Sequence, residues 1–153
     1  MNKTASTGVA ALNISAQTLH SFLGIGLGDG TREELFSRIK SNKKALKRLQ
    51  GTKLILIDEI SMISGELFDK FYAIIRKFCR SLPRVVICGD ALQLPPVFRD
   101  EDEVFFFETD GWTSLNPKTI LLTEICRQKD GSDYAITLSK IRKGDRSAVS
   151  LFN

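Results

Sequence analysis

The sequence predicts an α/β fold built on a parallel sheet, and three observations carry that class. Residues 54–57, 84–88 and 119–122 are short, mostly apolar runs, which read as strands covered on both faces. Segments with helical spacing alternate with these runs, as in βαβ units. Each run also ends in polar residues: Asp58-Glu59, then Gly89-Asp90 with Gln93, then Arg127-Gln128. Ligands of open α/β sheets gather beyond such strand ends.

In chain order, residues 3–11 read as the tail of a strand, a Ser6-Thr7-Gly8 turn and a helix. Ser6 or Thr7 caps that helix, and a helix N-terminus flanked by hydroxyls suits a phosphate as well as a plain cap. Residues 18–23 predict a short helix carrying His20, the only histidine. No cysteine or histidine spacing supports a metal at His20, so a structural, hydrogen-bonded ring is the default. Glycines alternate from Gly24 to Gly30 but miss G-x-G-x-x-G, because Asp29 stands where the third glycine belongs. That stretch reads as a flexible loop.

Thr31-Arg32-Glu33-Glu34 matches a capping box, so a helix follows with Leu35, Phe36 and Ile39 inward. Lys40, Lys43, Lys44, Lys47 and Arg48 form a basic run opposite Leu46 and Leu49, read as a solvated helix face in preference to a nucleic-acid contact. After the central strand, Leu67, Phe68, Phe71, Ile74, Ile75 and Phe78 recur at helical spacing and predict a core stripe. Pro95-Pro96 blocks a helix after Gln93. An acidic loop, residues 100–103, precedes Phe105-Phe106-Phe107, which needs apolar cover. A last amphipathic helix carries Tyr134, Leu138 and Ile141, with Gly144 as its C-cap.

The totals bound the answer. A chain of 153 residues, 42% hydrophobic and 26% charged, is one domain or most of one. No apolar run approaches the roughly 20 residues of a membrane-spanning helix. Cys79, Cys88 and Cys126 are odd in number and lack metal spacing, so they read as reduced thiols of an intracellular protein. A net charge of +4 tilts toward an anionic partner without naming it.

The blocks TASTGVAAL, TLHSFLGIGLG, LILIDEISMI, GDALQLPPV and EICRQKD, in that order, resemble the petite-integration-frequency (PIF) family of superfamily-one DNA helicases. RecD-type helicases are a poorer match. The resemblance implies a RecA-like P-loop NTPase core with a parallel sheet flanked by helices. It implies an ATP-driven motor that walks 5′ to 3′ on single-stranded DNA and unwinds duplexes, in repair, recombination or telomere maintenance. The setting is then the nucleus or mitochondrion of a eukaryote, or otherwise the cytoplasm. By the same resemblance Asp58 holds Mg²⁺ and Glu59 positions the hydrolytic water. Gln93 senses the γ-phosphate of ATP, Asp90 couples that to DNA, and Arg127 is an arginine finger. Ser6, Thr7 and Gly8 face a DNA phosphate, and His20 lies near the path of the strand.

The family's phosphate loop, G-x-x-x-x-G-K-[ST], does not occur, and the sequence holds no Gly-Lys dipeptide. Residues 1–153 are therefore expected to be part of a first motor domain, incomplete at the N-terminus and without the second motor domain. The strand that feeds the phosphate loop is then missing between residues 85–88 and 119–122, which flank a vacant slot. Ala91 stands where the family usually has a larger apolar residue. A non-catalytic nucleic-acid-binding or interaction module derived from such a helicase is the alternative.

Overall fold

The computed structural model describes residues 1–97, 104–124, 133–142 and 144–145. It divides into two units, residues 1–117 and 118–153. The first unit carries a four-stranded, all-parallel sheet of β1 (Asn2–Ala5), β2 (Gln17–Thr18), β3 (Leu54–Asp58) and β4 (Arg84–Ile87), in the spatial order β2-β1-β3-β4. The expected α/β class with a parallel sheet and flanking helices is what the chain adopts.

Each crossover is helical. Thr7 accepts the Ala10 N–H and starts α1 (Gly8–Asn13), and Thr18 accepts the Ser21 N–H and starts α2 (Leu19–Leu23). The capping box at Thr31 forms with both of its bonds and opens α3 (Arg32–Ser41). The basic run then breaks: Asn42 ends α3 and caps α4 (Lys43–Gln50) through its side chain. The apolar stripe forms the inner face of α5 (Gly65–Phe78), where Phe68, Phe71, Ile74, Ile75 and Phe78 join Ile55 and Ile57 of β3 in one core. A short α6 (Asp110–Leu115) sets Trp112 against Phe68, with ring centroids 5.8 Å apart.

Several expectations change. β4 is not covered on both faces: Arg84 and Val86 are exposed, and among the described residues it pairs only with β3, as an edge strand does. Residues 119–122 form no strand; Ile120, Leu121 and Leu122 are 76%, 79% and 88% exposed. Apolar content gives a run strand propensity, but a strand exists only where a neighbour completes its ladder. The second flank of the expected slot is thus not formed. Of the three phenylalanines at 105–107 only Phe106 is buried, while Phe105 and Phe107 stack on one another at 5.3 Å. Arg48 does not face solvent freely: its guanidinium donates to the Phe22 and Ser21 carbonyls at the end of α2.

In the second unit, α7 (Asp133–Arg142) ends at Gly144, whose φ of 75° and N–H bond to the Ile141 carbonyl make the expected C-cap. Leu138 and Ile141 are 36% and 42% exposed. The acidic loop at 100–103, Cys126, Gln128 and the side chain of Tyr134 lie outside the described residues.

Candidate functional site

The acidic pair is built by the way β3 and β4 run out together. Beyond the ladder, the Cys88 N–H donates to the Ile57 carbonyl at 2.8 Å and the Ile60 N–H donates to the Cys88 carbonyl at 3.1 Å. The two strand ends are therefore stitched side by side. Asp58 is half-buried, and its carboxylate accepts the Glu59 N–H at 3.0 Å. Glu59 then turns the chain through a left-handed conformation, φ 53° and ψ 48°, into a 3₁₀ turn at Ile60–Met62. Gly89 crosses this turn closely: a Cβ there would lie 2.8 Å from the Ile60 nitrogen.

Asp90 and Gln93 form one unit across a tight turn. The Asp90 carboxylate accepts the Leu92 N–H and the Gln93 side-chain amide, both at 3.1 Å, and the Gln93 N–H returns to the Asp90 carbonyl at 2.9 Å. Cys88 reaches solvent beside them. Partial burial, and next the Asp58 carboxylate, push its thiol above the ordinary range.

The other half of the same edge follows β1 and β2. The Ser6 N–H donates to the Asp58 carbonyl at 3.2 Å, joining the hydroxyl turn to the acidic pair. Thr7 caps α1, and Gly8 is exposed at its first position. His20 sits half-buried in α2. Burial pulls its pKa below the ordinary histidine value while Asp29 pushes back, which favours the neutral ring. A cavity of about 240 Å³ opens there, lined by Thr7, His20, Asp29, Ser64, Lys70 and Pro96 among others.

All four parallel strands therefore deliver expected site residues to one carboxyl edge. Asp58, Glu59, Asp90 and Gln93 stand beyond β3 and β4; Ser6, Thr7, Gly8 and His20 stand beyond β1 and β2. Arg127 lies outside the described residues. Sequence reasoning missed Lys70, which hides inside the apolar stripe of α5; its only signal is a charge at an inward position between Phe68 and Phe71. It also missed the Ser61 hydroxyl, buried two residues after Glu59 with no hydrogen-bond partner among the described residues, as is that of Ser6.

A family model described as PIF1-like helicase matches residues 1–148. The chain belongs to the PIF1-like helicase family. It is 43% identical over 157 residues to the ATP-dependent DNA helicase PIF1 of Candida albicans, an alignment covering 93% of this chain and 17% of that protein. The crystal structure of Pif1 helicase from Candida albicans superposes with a TM-score of 0.86 at 42% identity, over 92% of this chain and 34% of that one. The Bacteroides Pif1 helicase, solved in complex with ADP-AlF3 and ssDNA, superposes at 0.71 with 26% identity, over 94% of this chain and 36% of that one. The chain thus spans a small part of the curated PIF1-like relatives it matches.

The donor set of this PIF1-like edge fits a magnesium ion in part. Asp58 offers a hard carboxylate oxygen at a strand end, and Mg²⁺ is commonly held by one or two carboxylates together with substrate phosphates and water. Among the described residues no cluster of three His, Cys, Asp or Glu forms a self-sufficient metal cage. No loop of the G-x-x-x-x-G-K-[ST] type stands in this sequence to cradle the phosphates.

Proposed function

We propose that this chain forms the nucleotide-facing and DNA-facing edge of the first motor domain of an ATP-dependent DNA helicase. Its motor moves 5′ to 3′ on single-stranded DNA and unwinds duplexes, in repair, recombination or telomere maintenance, within the nucleus or mitochondrion of a eukaryote or otherwise in the cytoplasm. The observation that supports this is the shared carboxyl edge, with the acidic pair on β3–β4 and the hydroxyl turn and histidine on β1–β2, one hydrogen bond apart at Ser6 and Asp58.

In this reading Asp58 holds Mg²⁺, which when bound neutralises charge developing on the transferred phosphate. Glu59 orients the attacking water and takes up its proton. Gln93 contacts the γ-phosphate, and Asp90, tied to Gln93 by two hydrogen bonds across the turn, relays its position. Arg127 adds positive charge in the transition state, a role worth about 10³–10⁵ in rate elsewhere. Ser6, Thr7 and Gly8 face a DNA phosphate, and His20 meets the strand as a neutral ring.

Glu59→Gln in the protein as its gene encodes it tests the reading. Hydrolysis is expected to fall to background while ATP still binds, because the change removes the base and spares the phosphate contacts. Near-normal turnover would reduce Glu59 to a strand-end acid. DNA binding without hydrolysis in the wild-type protein would leave the non-catalytic module instead.

A further inference from the structure

Lys70 is the one charged residue buried among the described residues, at 8% exposure. A buried ammonium is costly unless it is paired and hydrogen-bonded. Here its Nζ meets the Glu66 carboxylate at 2.5 Å, one turn back on α5, and donates to the Gly28 carbonyl at 2.9 Å. Glu66 is largely exposed, so the ion pair runs from water inward and ends on the backbone of the glycine loop.

That loop is held at two points. Arg38 of α3 donates to the Ile25 carbonyl at 2.6 Å, and Lys70 holds Gly28. The expectation of a flexible loop is corrected by these two cationic pins. Gly28, at φ 81°, lies flat against His20: a Cβ there would stand 3.3 Å from the ring's Cδ2 and 3.4 Å from Nε2. Lys70 thereby fixes the surface on which the imidazole rests, and it lines the same cavity as His20 and Thr7.

We propose that Lys70 is a positioning residue for the DNA-facing cavity: by holding the Gly28 carbonyl it sets the loop that orients His20. It acts through the loop and makes no phosphate contact of its own. The proposal rests on the reading of this cavity as DNA-facing.

The experiment measures DNA-stimulated ATP hydrolysis and DNA affinity against salt for the full natural chain. Lys70→Met is expected to raise the DNA concentration for half-maximal stimulation about ten-fold, the scale of a lost charge-assisted hydrogen bond. The maximum rate at saturating DNA should change far less. The slope of log affinity against log salt should stay as in the wild type, whereas a direct phosphate contact would lower it by about one. Glu66→Ala leaves the Lys70 bond to the Gly28 carbonyl but unpairs the ammonium, and in protein shown by circular dichroism to be folded it should weaken DNA binding in the same direction even though it removes a negative charge. A lowered salt slope in Lys70→Met, or tighter DNA binding in Glu66→Ala, would overturn the proposal. So would unchanged half-saturation in both variants while His20→Ala still weakens DNA binding. No effect of His20→Ala and Thr7→Ala on DNA binding would instead overturn the DNA-facing reading itself.

Discussion

Gly89→Ala probes the seam that places the acidic pair beside the Asp90 turn. The new Cβ would sit 2.8 Å from both the Ile60 nitrogen and its Cγ2, against about 3.4 Å for an ordinary contact, so one side must move roughly 0.6 Å. Ile60 is buried, and its N–H is committed to the Cys88 carbonyl. Overpacking of this kind costs about 1–3 kcal/mol, and losing the seam hydrogen bond adds about 1 kcal/mol. The expected loss is about 2–4 kcal/mol, a fall in Tm of roughly 4–16 °C by thermal denaturation. Under the function proposed above, displacing Asp90 and Gln93 from the acidic pair by a fraction of an ångström should also slow ATP hydrolysis by the full natural chain on the order of 10-fold or more. Gly51→Ala is the control: its nearest neighbours stand at 3.6 and 3.8 Å and its φ is −90°, so stability should change by less than about 0.5 kcal/mol. A Gly89→Ala protein that melts and hydrolyses ATP like the wild type would refute the close seam.

Phe68→Ala should cost about 3–5 kcal/mol in urea denaturation, since Phe68 is fully buried and its ring touches Phe71, Phe106 and Trp112. His20 has a folded pKa below its ordinary value, so its contribution to stability is present above about pH 6.5 and is lost as the pH falls through the lowered value. His20→Gln should therefore lose less stability between pH 7.5 and 5.5 than the wild type, and an equal loss would place the titration elsewhere. Asp58→Asn removes one of the two causes that raise the Cys88 thiol, so iodoacetamide should modify Cys88 faster at pH 8, read by peptide mass.

The parts of this fold legible in the sequence are those whose signal is local. A capping box at Thr31, an apolar stripe in α5 and apolar runs ending in acids each declare themselves within a few residues. What stayed hidden depends on partners far along the chain. Residues 119–122 carry a strand's composition but no described neighbour completes a ladder for them. β4 reads as interior although one of its edges has no partner among the described residues. Arg48 looks like a solvated charge, and Lys70 like a misplaced one, until the carbonyls at Phe22 and Gly28 are brought to them. The candidate site was legible as a set of strand-end motifs, but its division into two halves of one edge follows from β1 inserting between β2 and β3, which no local pattern states.

The left-handed backbone at Glu59 has an evolutionary consequence. An L-residue other than asparagine or aspartate spends about 1–2 kcal/mol there, and the seam bonds on either side hold it in place. A glycine at 59 would relieve that strain, offset in part by about 0.5–1 kcal/mol of extra chain entropy. Selection for folding alone would therefore give little protection to the carboxylate. Under the role proposed for Glu59, position 59 would be among the first to drift once hydrolysis was no longer selected, and a descendant with glycine there would fold as well as its ancestor.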